Sequence, residues 1–359
     1  MKYFILLLLL IRVSIFGVAQ DNAFETDQKI KDIPEIHTHS TEAIAAFINT
    51  HFTSNTDKVR AAYTWVIHNI KYDTDSMYAI NWNSGGSLKI TEALRRRKGV
   101  CENFSGIFID IVSKVGLQGV TIDGYTRQSN VVNKTGHTWS AVNLDNTWYL
   151  FDPTWDMDRM HDYRYFKISP GELANSHMPF DPLWQFNDNP ITHREFQGGS
   201  SGKDFKMINH TDSIKAFMRL SELEKLHAIV RRMNKVDKTS DLIRNRKAFL
   251  EMQIATVYEE MDMTLYNTSV MYLNTATEAY NKYVSQINAK ERADLSQEYE
   301  EILVPALALL NKSLERIADI GKYIPNYQYD PTGLQMRVRE MADKIRLLKS
   351  PARALTKTF

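Results

Sequence analysis

The chain has 359 residues, 43% of them hydrophobic and 24% charged, with a formal net charge of +1. That length corresponds to about two domains, and the apolar content to a sizeable core. The near-neutral charge balance removes any electrostatic reason to expect nucleic acid or an anionic membrane surface as a partner.

Residues 1–19 read as a secretory signal. Lys2 supplies the positive start, Ile5 to Ile11 is an unbroken apolar run, and Gly17-Val18-Ala19 offers a cleavage site. Arg12 interrupts the run, which is shorter than the about 20 residues a spanning helix needs. The mature chain is therefore expected to be exported, to the periplasm or the extracellular space, with no membrane span. Its single cysteine, Cys101, has no intramolecular partner there and cannot belong to a disulfide framework.

Beyond a polar lead-in, Glu42 to Phe52 is expected to form a short helix. Asn55 or Thr56 caps a stronger one with Val59, Tyr63, Val66, Ile67 and Ile70 on its apolar face. Asn81 to Gly86 is a loop by its turn residues, and Thr91 to Lys98 a basic helix stopped by Gly99. A new helix starts at Cys101, with Phe104, Ile107, Phe108, Ile111 and Val115 at helical spacing, and ends near Gly116. A sulfur in its first turn meets the positive end of the backbone dipole, which favours the thiolate. The alternative is a buried cysteine serving as a small hydrophobe.

The texture then changes to strands: Gly119 to Thr126, His137 to Leu144, and Thr147 to Phe151. Asp145-Asn146 joins the last two as a hairpin. Tyr163 to Ile168 reads as a further β-like piece before Pro170-Gly171. Helices followed by antiparallel strands imply an α+β domain, with the cysteine helix packed on a sheet. Residues 20–196 form this domain, and 197–204, with Gly198-Gly199-Ser200-Ser201-Gly202, form a flexible linker. Residues 205–359 are expected to be an all-α domain, a hairpin or antiparallel bundle. Ser221 and Glu224 make a capping box there. One apolar stripe runs through Leu250, Ile254, Val257, Met261 and Leu265. A second runs through Leu303, Leu307, Leu310, Leu314 and Ile317, with Pro305 starting or kinking its helix.

A thiol nucleophile needs a base to take its proton and a third group to orient that base. His137 opens one strand of the hairpin and Asp152 ends the other, so antiparallel pairing brings them side by side. A helix laid across that end of the sheet presents Cys101 to the imidazole. The order Cys, His, Asp is papain-like. Singly, each residue has a plainer reading: packing, a satisfied polar group, a turn former before proline. Jointly they read as a triad.

These residues resemble a family. Gly99-Val100-Cys101, Gly136-His137-Thr138-Trp139 and Trp148 to Trp155 are similar to motifs of the transglutaminase-like superfamily of papain-fold cysteine enzymes. Tyr63 to Val66 and Asn69 to Asp73 resemble the helix preceding the domain in bacterial members. Tyr165-Phe166 and His177 to Gln185 resemble the kyphoscoliosis-peptidase branch. The resemblance covers roughly 46–196 and implies nucleophile Cys101, base His137 and orienting Asp152, acting through a thioester acyl-enzyme. Water resolves that intermediate in hydrolysis, an amine in crosslinking. It also implies an oxyanion hole that includes the Cys101 N–H, and Trp82 is the residue best placed to match the upstream tryptophan of animal members, packing being its other reading.

The pattern departs from many members after the cysteine, where Asn103 and Phe104 stand in place of glycine and tyrosine. Asn103 either narrows the approach to the sulfur or contacts substrate. The chain thus reads as an exported peptidase or amidase acting on a peptide, protein or cell-wall peptide. A silent papain-fold scaffold and a crosslinking acyltransferase are the alternatives. No cofactor and no metal are expected, and no loop resembles a calcium site. His37 and His39 lack further ligands. The sequons at Asn133 and Asn267 matter only in a eukaryotic secretory pathway, whereas the signal and the resemblance suggest a bacterial source.

Overall fold

The computed structural model of the protein describes residues 23–75, 86–157, 159, 162–187, 190–199, 211–235, 240–289, 296–323 and 330–349. The expected signal, Trp82 and most of the Asn81–Gly86 loop lie outside the described residues. The chain forms two compact units that meet in sequence at Ala248 and Phe249.

The first unit opens with α1 over 23–31, α2 (Thr41–His51) and α3 (Asn55–Asn69). Ser40 and Ser54 cap α2 and α3 by accepting the N–H groups of Ala43 and Asp57, so the cap of α3 sits one residue before the expected pair. Buried Asp27 ties α1 down: it accepts Arg60 Nε at 2.8 Å, Arg60 Nη2 at 2.7 Å and Thr64 Oγ1 at 2.8 Å. Then come β1 (Lys71–Tyr72), α4 (Gly86–Arg96), β2 (Lys98–Gly99) and α5 (Cys101–Lys114). β1 and β2 pair in parallel, Tyr72 opposite Gly99. Gly116, at φ 93°, takes the left-handed conformation that ends α5.

β3 (Gln118–Gln128), β4 (Val131–Leu144) and β5 (Thr147–Phe151) follow, then α6 (Pro170–Leu173) and β6 (His177–Pro179). The sheet order is β5-β4-β3-β6, antiparallel throughout. Asp145 and Asn146, both at positive φ, form the tight turn that the hairpin requires. The Tyr163–Ile168 segment is not a strand. It touches the end of β5 at two points, the Ile168 N–H on the Leu150 carbonyl and the Asp152 N–H on the Tyr165 carbonyl, because the backbone N–H groups of Arg164 and Tyr165 turn instead to the buried carboxylate of Asp156.

Two apolar cores sandwich the sheet. On one side Phe104, Ile107, Phe108 and Ile111 of α5 join α2, α3 and the inward residues Val142, Leu144 and Phe151. On the other, Ile122, Trp139, Ala141, Trp148 and Leu150 meet Trp184 and Phe186. After α7 (His193–Gln197) come α8 (Thr211–Met218) and α9 (Glu222–Met233), and they close this second core with Ile214, Phe217 and Ala228. Arg232 clamps Asp181 with two bonds, at 2.7 and 2.6 Å. The helices after the 197–204 stretch therefore belong to the first unit, and the division into units falls about 45 residues later than the glycine-rich segment. The reason is physical: the outer face of the sheet is aromatic and must be covered.

The 49-residue α10 (Asp241–Ala289) carries the boundary within it. The second unit continues with α11 (Ser296–Glu298), a π-turn over Tyr299–Leu303, α12 (Val304–Ile317) and α13 (Pro331–Leu347). Pro305 stands in the first turn of α12, as expected. The first stripe, however, loses its seam at Met261, which is exposed. The buried positions of α10 continue through Asp262, Ser269, Ala276 and Tyr283, seven residues apart, and face Leu303, Leu310 and Ile317 at the same interval. No described helix is long and apolar enough to cross a membrane.

Candidate active site

Cys101 is the first residue of α5 and half-buried. The preceding Val100 has no capping side chain, and Asn103 supplies the cap from within, its Oδ1 accepting the Val100 N–H at 3.0 Å. Its Nδ2 lies 3.5 Å from the Lys89 carbonyl, so both ends of the amide have partners away from Cys101. The Cys101 N–H, in the first turn, has no intrahelical acceptor and stands at the positive end of the helix.

β4 brings His137 opposite Gly124 of β3, and its pairing with β5 begins only at Ser140. Asp152, the first residue past β5, therefore comes over the His137 ring. His137 Nε2 lies 2.7 Å from Asp152 Oδ2, which leaves Nδ1 for the sulfur. Ser105 Oγ of α5 donates to the Thr138 carbonyl at 3.0 Å and locks the helix to the strand beside His137. Burial works against a charged imidazole, but Asp152, through charge and hydrogen bond, and the hydrogen-bonding Cys101 sulfur raise His137 to about 10. Burial would push Asp152 up; His137, and then His177, hold it well below the usual carboxylate range. Its Oδ1 accepts the backbone N–H groups of Thr154 at 2.9 Å and Trp155 at 3.2 Å. The Tyr63 hydroxyl, 2.8 Å from both the Asp152 carbonyl and Asp156 Oδ2, supports the loop from beneath.

The structure thus brings together Cys101, His137 and Asp152 from a helix start and two strand ends. It adds a residue that motif reasoning passed over. His177, fully buried on β6, places its Nε2 3.0 Å from the same Asp152 Oδ2. The run from His177 to Gln185 was visible as part of the resemblance, but no local signal marked that ring as a partner of Asp152. Tyr72 also adjoins the sulfur: burial first, then the Cys101 and Asp152 charges, raise its phenol.

Among the described residues, His137, Asp152 and His177 are the group whose ligand atoms lie close enough to hold a metal ion, all within 4.8 Å of one another. Their spacing fits hydrogen bonds. Both imidazoles already touch one carboxylate oxygen at 2.7 and 3.0 Å, and an ion would have to displace both protons. His37 and His39 join no such group.

Residues 42–153 match the family model described as the transglutaminase-like superfamily. The matched stretch is the one that carries the helix-on-sheet core described above, and over it the chain is similar to that superfamily. It is similar to the kyphoscoliosis peptidase of Mus musculus, 28% identical over 160 residues, which are 40% of this chain and 24% of that protein. It is also similar to the kyphoscoliosis peptidase of Homo sapiens, 27% identical over 157 residues, 39% of this chain and 23% of that protein. The chain spans about a quarter of the length of these relatives. A solved structure described as a crystal structure of a TGase aligns with a TM-score of 0.26 and 20% identity, covering 43% of this chain and 42% of that one.

Proposed function

We propose that the protein is an exported cysteine enzyme that cleaves amide bonds of a peptide, protein or cell-wall peptide, with Cys101 as nucleophile, His137 as general base and acid, and Asp152 as orienting group. The observation that carries this reading is the Nε2–Oδ2 bond of 2.7 Å between His137 and Asp152, with the Cys101 sulfur as the other partner of the ring. The sulfur attacks the carbonyl carbon, its proton having gone to His137 Nδ1. The amide nitrogen leaves with that proton, and a thioester remains on Cys101. His137 then takes a proton from water, whose oxygen attacks the thioester and frees the carboxylic acid. The oxyanion of each tetrahedral intermediate is served by the Cys101 N–H at the positive end of α5.

Hydrolysis is favoured over crosslinking because the similar relatives are described as peptidases. The silent-scaffold alternative loses its main argument, since the Asn103 side chain is engaged as a cap. The test is profiling of the wild type and Cys101→Ala against libraries of peptides and peptidoglycan fragments, with and without added amines. Cleavage products that depend on Cys101 are expected. Amine conjugates in place of acids would make the protein an acyltransferase, and no Cys101-dependent product from any library would leave the scaffold reading.

A further inference from the structure

Asp152 Oδ2 is shared by two imidazoles, and only one of them has a part in the acyl-transfer reading. His177 has its Nε2 3.0 Å from that oxygen and its Nδ1 2.8 Å from Ser176 Oγ. An ionised carboxylate can only accept, so the proton of His177 sits on Nε2, and the Ser176 hydroxyl donates to Nδ1. The ring is enclosed by aromatic groups, with Trp155 centred 4.4 Å away, Trp139 edge-on at 5.1 Å and Tyr165 at 5.9 Å. The titratable groups facing it are Asp152, His137 and Tyr165.

The backbone is shaped to deliver this ring. β6 pairs with β3 over three residues, His177 opposite Thr126 and Pro179 opposite Gly124. Gly124 permits that close seat: a Cβ there would fall 2.2 Å from the Met178 carbonyl oxygen and 2.4 Å from Trp139 Cη2. Asp152 consequently receives four donors, two backbone N–H groups on Oδ1 and two imidazoles on Oδ2. That fills the hydrogen-bonding capacity of a carboxylate. Without His177, Oδ2 would keep only His137, and the buried carboxylate could turn towards whichever donor relieves it.

We propose that His177 is a positioning residue of the triad: its Nε2–H holds Asp152 in the orientation that keeps His137 Nδ1 directed at Cys101. This rests on the acyl-transfer reading above. Burial, opposed by Asp152, lowers His177 to about 4, so the ring stays a neutral donor throughout the working range of a cysteine enzyme and does not compete for the triad's proton.

The experiment measures chloroacetamide alkylation of Cys101 in the wild type, His137→Ala, His177→Phe and His177→Gln, with ¹⁵N-histidine NMR of the wild type at pH 7. His177→Phe keeps an aromatic ring and removes the donor; His177→Gln restores an N–H near the Nε2 position. The expected result is alkylation at least about tenfold slower in His177→Phe, the lower end of what a hydrogen bond to a charged group is worth. His177→Gln should recover most of the rate, and His177 should be seen as the neutral Nε2–H tautomer. If His177→Phe fails to fold, the wild-type spectrum decides: a His177 proton on Nδ1, or a charged ring at pH 7, overturns the proposal. A His177→Phe rate equal to that of a His137-dependent wild type overturns this proposal alone. Equal rates in wild type and His137→Ala overturn it together with the triad.

Discussion

A Cβ built on Gly99 would fall 2.5 Å from the Asn103 Cβ and 2.8 Å from its Oδ1. The residues two before and two after the cysteine are therefore fitted to each other, and Asn103 is also the cap of the helix that starts at Cys101. Gly99→Ala is expected to cost about 1–3 kcal/mol through overpacking. In an Asn103→Gly background it should cost clearly less, because the clashing Cβ is gone. A double-mutant cycle by urea denaturation reads the coupling. Equal costs in both backgrounds would show the contact to be relieved elsewhere.

Asn103→Ala removes the cap and the long Nδ2 bond to the Lys89 carbonyl at 3.5 Å, together worth about 1 kcal/mol of stability. Because the amide bonds to Val100 and Lys89, the alkylation rate of Cys101 should stay within a few-fold of wild type. Paired measurements of thermal midpoint and alkylation separate the two effects, and a large gain in rate would mean that the amide obstructs the site after all.

Stability should fall on the acid side through His177. Its folded value, lowered from the ordinary 6.5 to about 4 chiefly by burial, means that the unfolded chain takes up a proton that the folded chain refuses. This contribution is intact above 6.5 and is lost as pH falls from 6.5 through 4, amounting to about 3 kcal/mol at the end. Asp156, raised to about 6 chiefly by burial, acts in the opposite sense, since its folded form gains a proton first as pH falls. Urea midpoints at pH 7 and 4.5 should therefore converge in His177→Gln relative to wild type. An unchanged gap would place the acid sensitivity elsewhere.

Asp152→Asn removes the charge that raises His137 while leaving a side chain of the same shape. The His137 titration should drop from about 10 towards the ordinary imidazole range, and alkylation at pH 7 should slow by at least about tenfold. Histidine NMR and alkylation kinetics on the one variant check both.

The Tyr63 hydroxyl lies 2.8 Å from both the Asp152 carbonyl and the Asp156 carboxylate. Tyr63→Phe leaves buried acceptors short of a donor and should cost about 1–3 kcal/mol, read as a lower thermal midpoint.

Much of this site could be read from local chemistry. Asp145-Asn146 determines a two-residue hairpin, and the hairpin determines that His137 and Asp152 meet. Gly99 and the apolar spacing after it place Cys101 at a helix start. His177 escaped because its position depends on a three-residue strand added to the far edge of the sheet, a pairing that no periodicity announces. The Tyr163–Ile168 segment looked extended by composition, yet one buried carboxylate, Asp156, decides its backbone. The α8 and α9 helices looked like the start of a second domain because a glycine-rich stretch precedes them. The aromatic face around Trp148 and Trp184 claims them for the first unit. On α10 the seam passes through Asp262, Ser269 and Ala276, residues that a search for large apolar side chains does not pick out.

Uptake of an acyl group by Cys101, with His137 as its base, is read out by intact-mass analysis after mixing with an activated peptide ester. The expected result is a mass gain equal to the acyl group, mapped to Cys101 and removed by hydroxylamine. The adduct should be absent in Cys101→Ala and form about a hundredfold more slowly or worse in His137→Ala. Acylation at the same rate in His137→Ala, or none on Cys101 in the wild type, would contradict it.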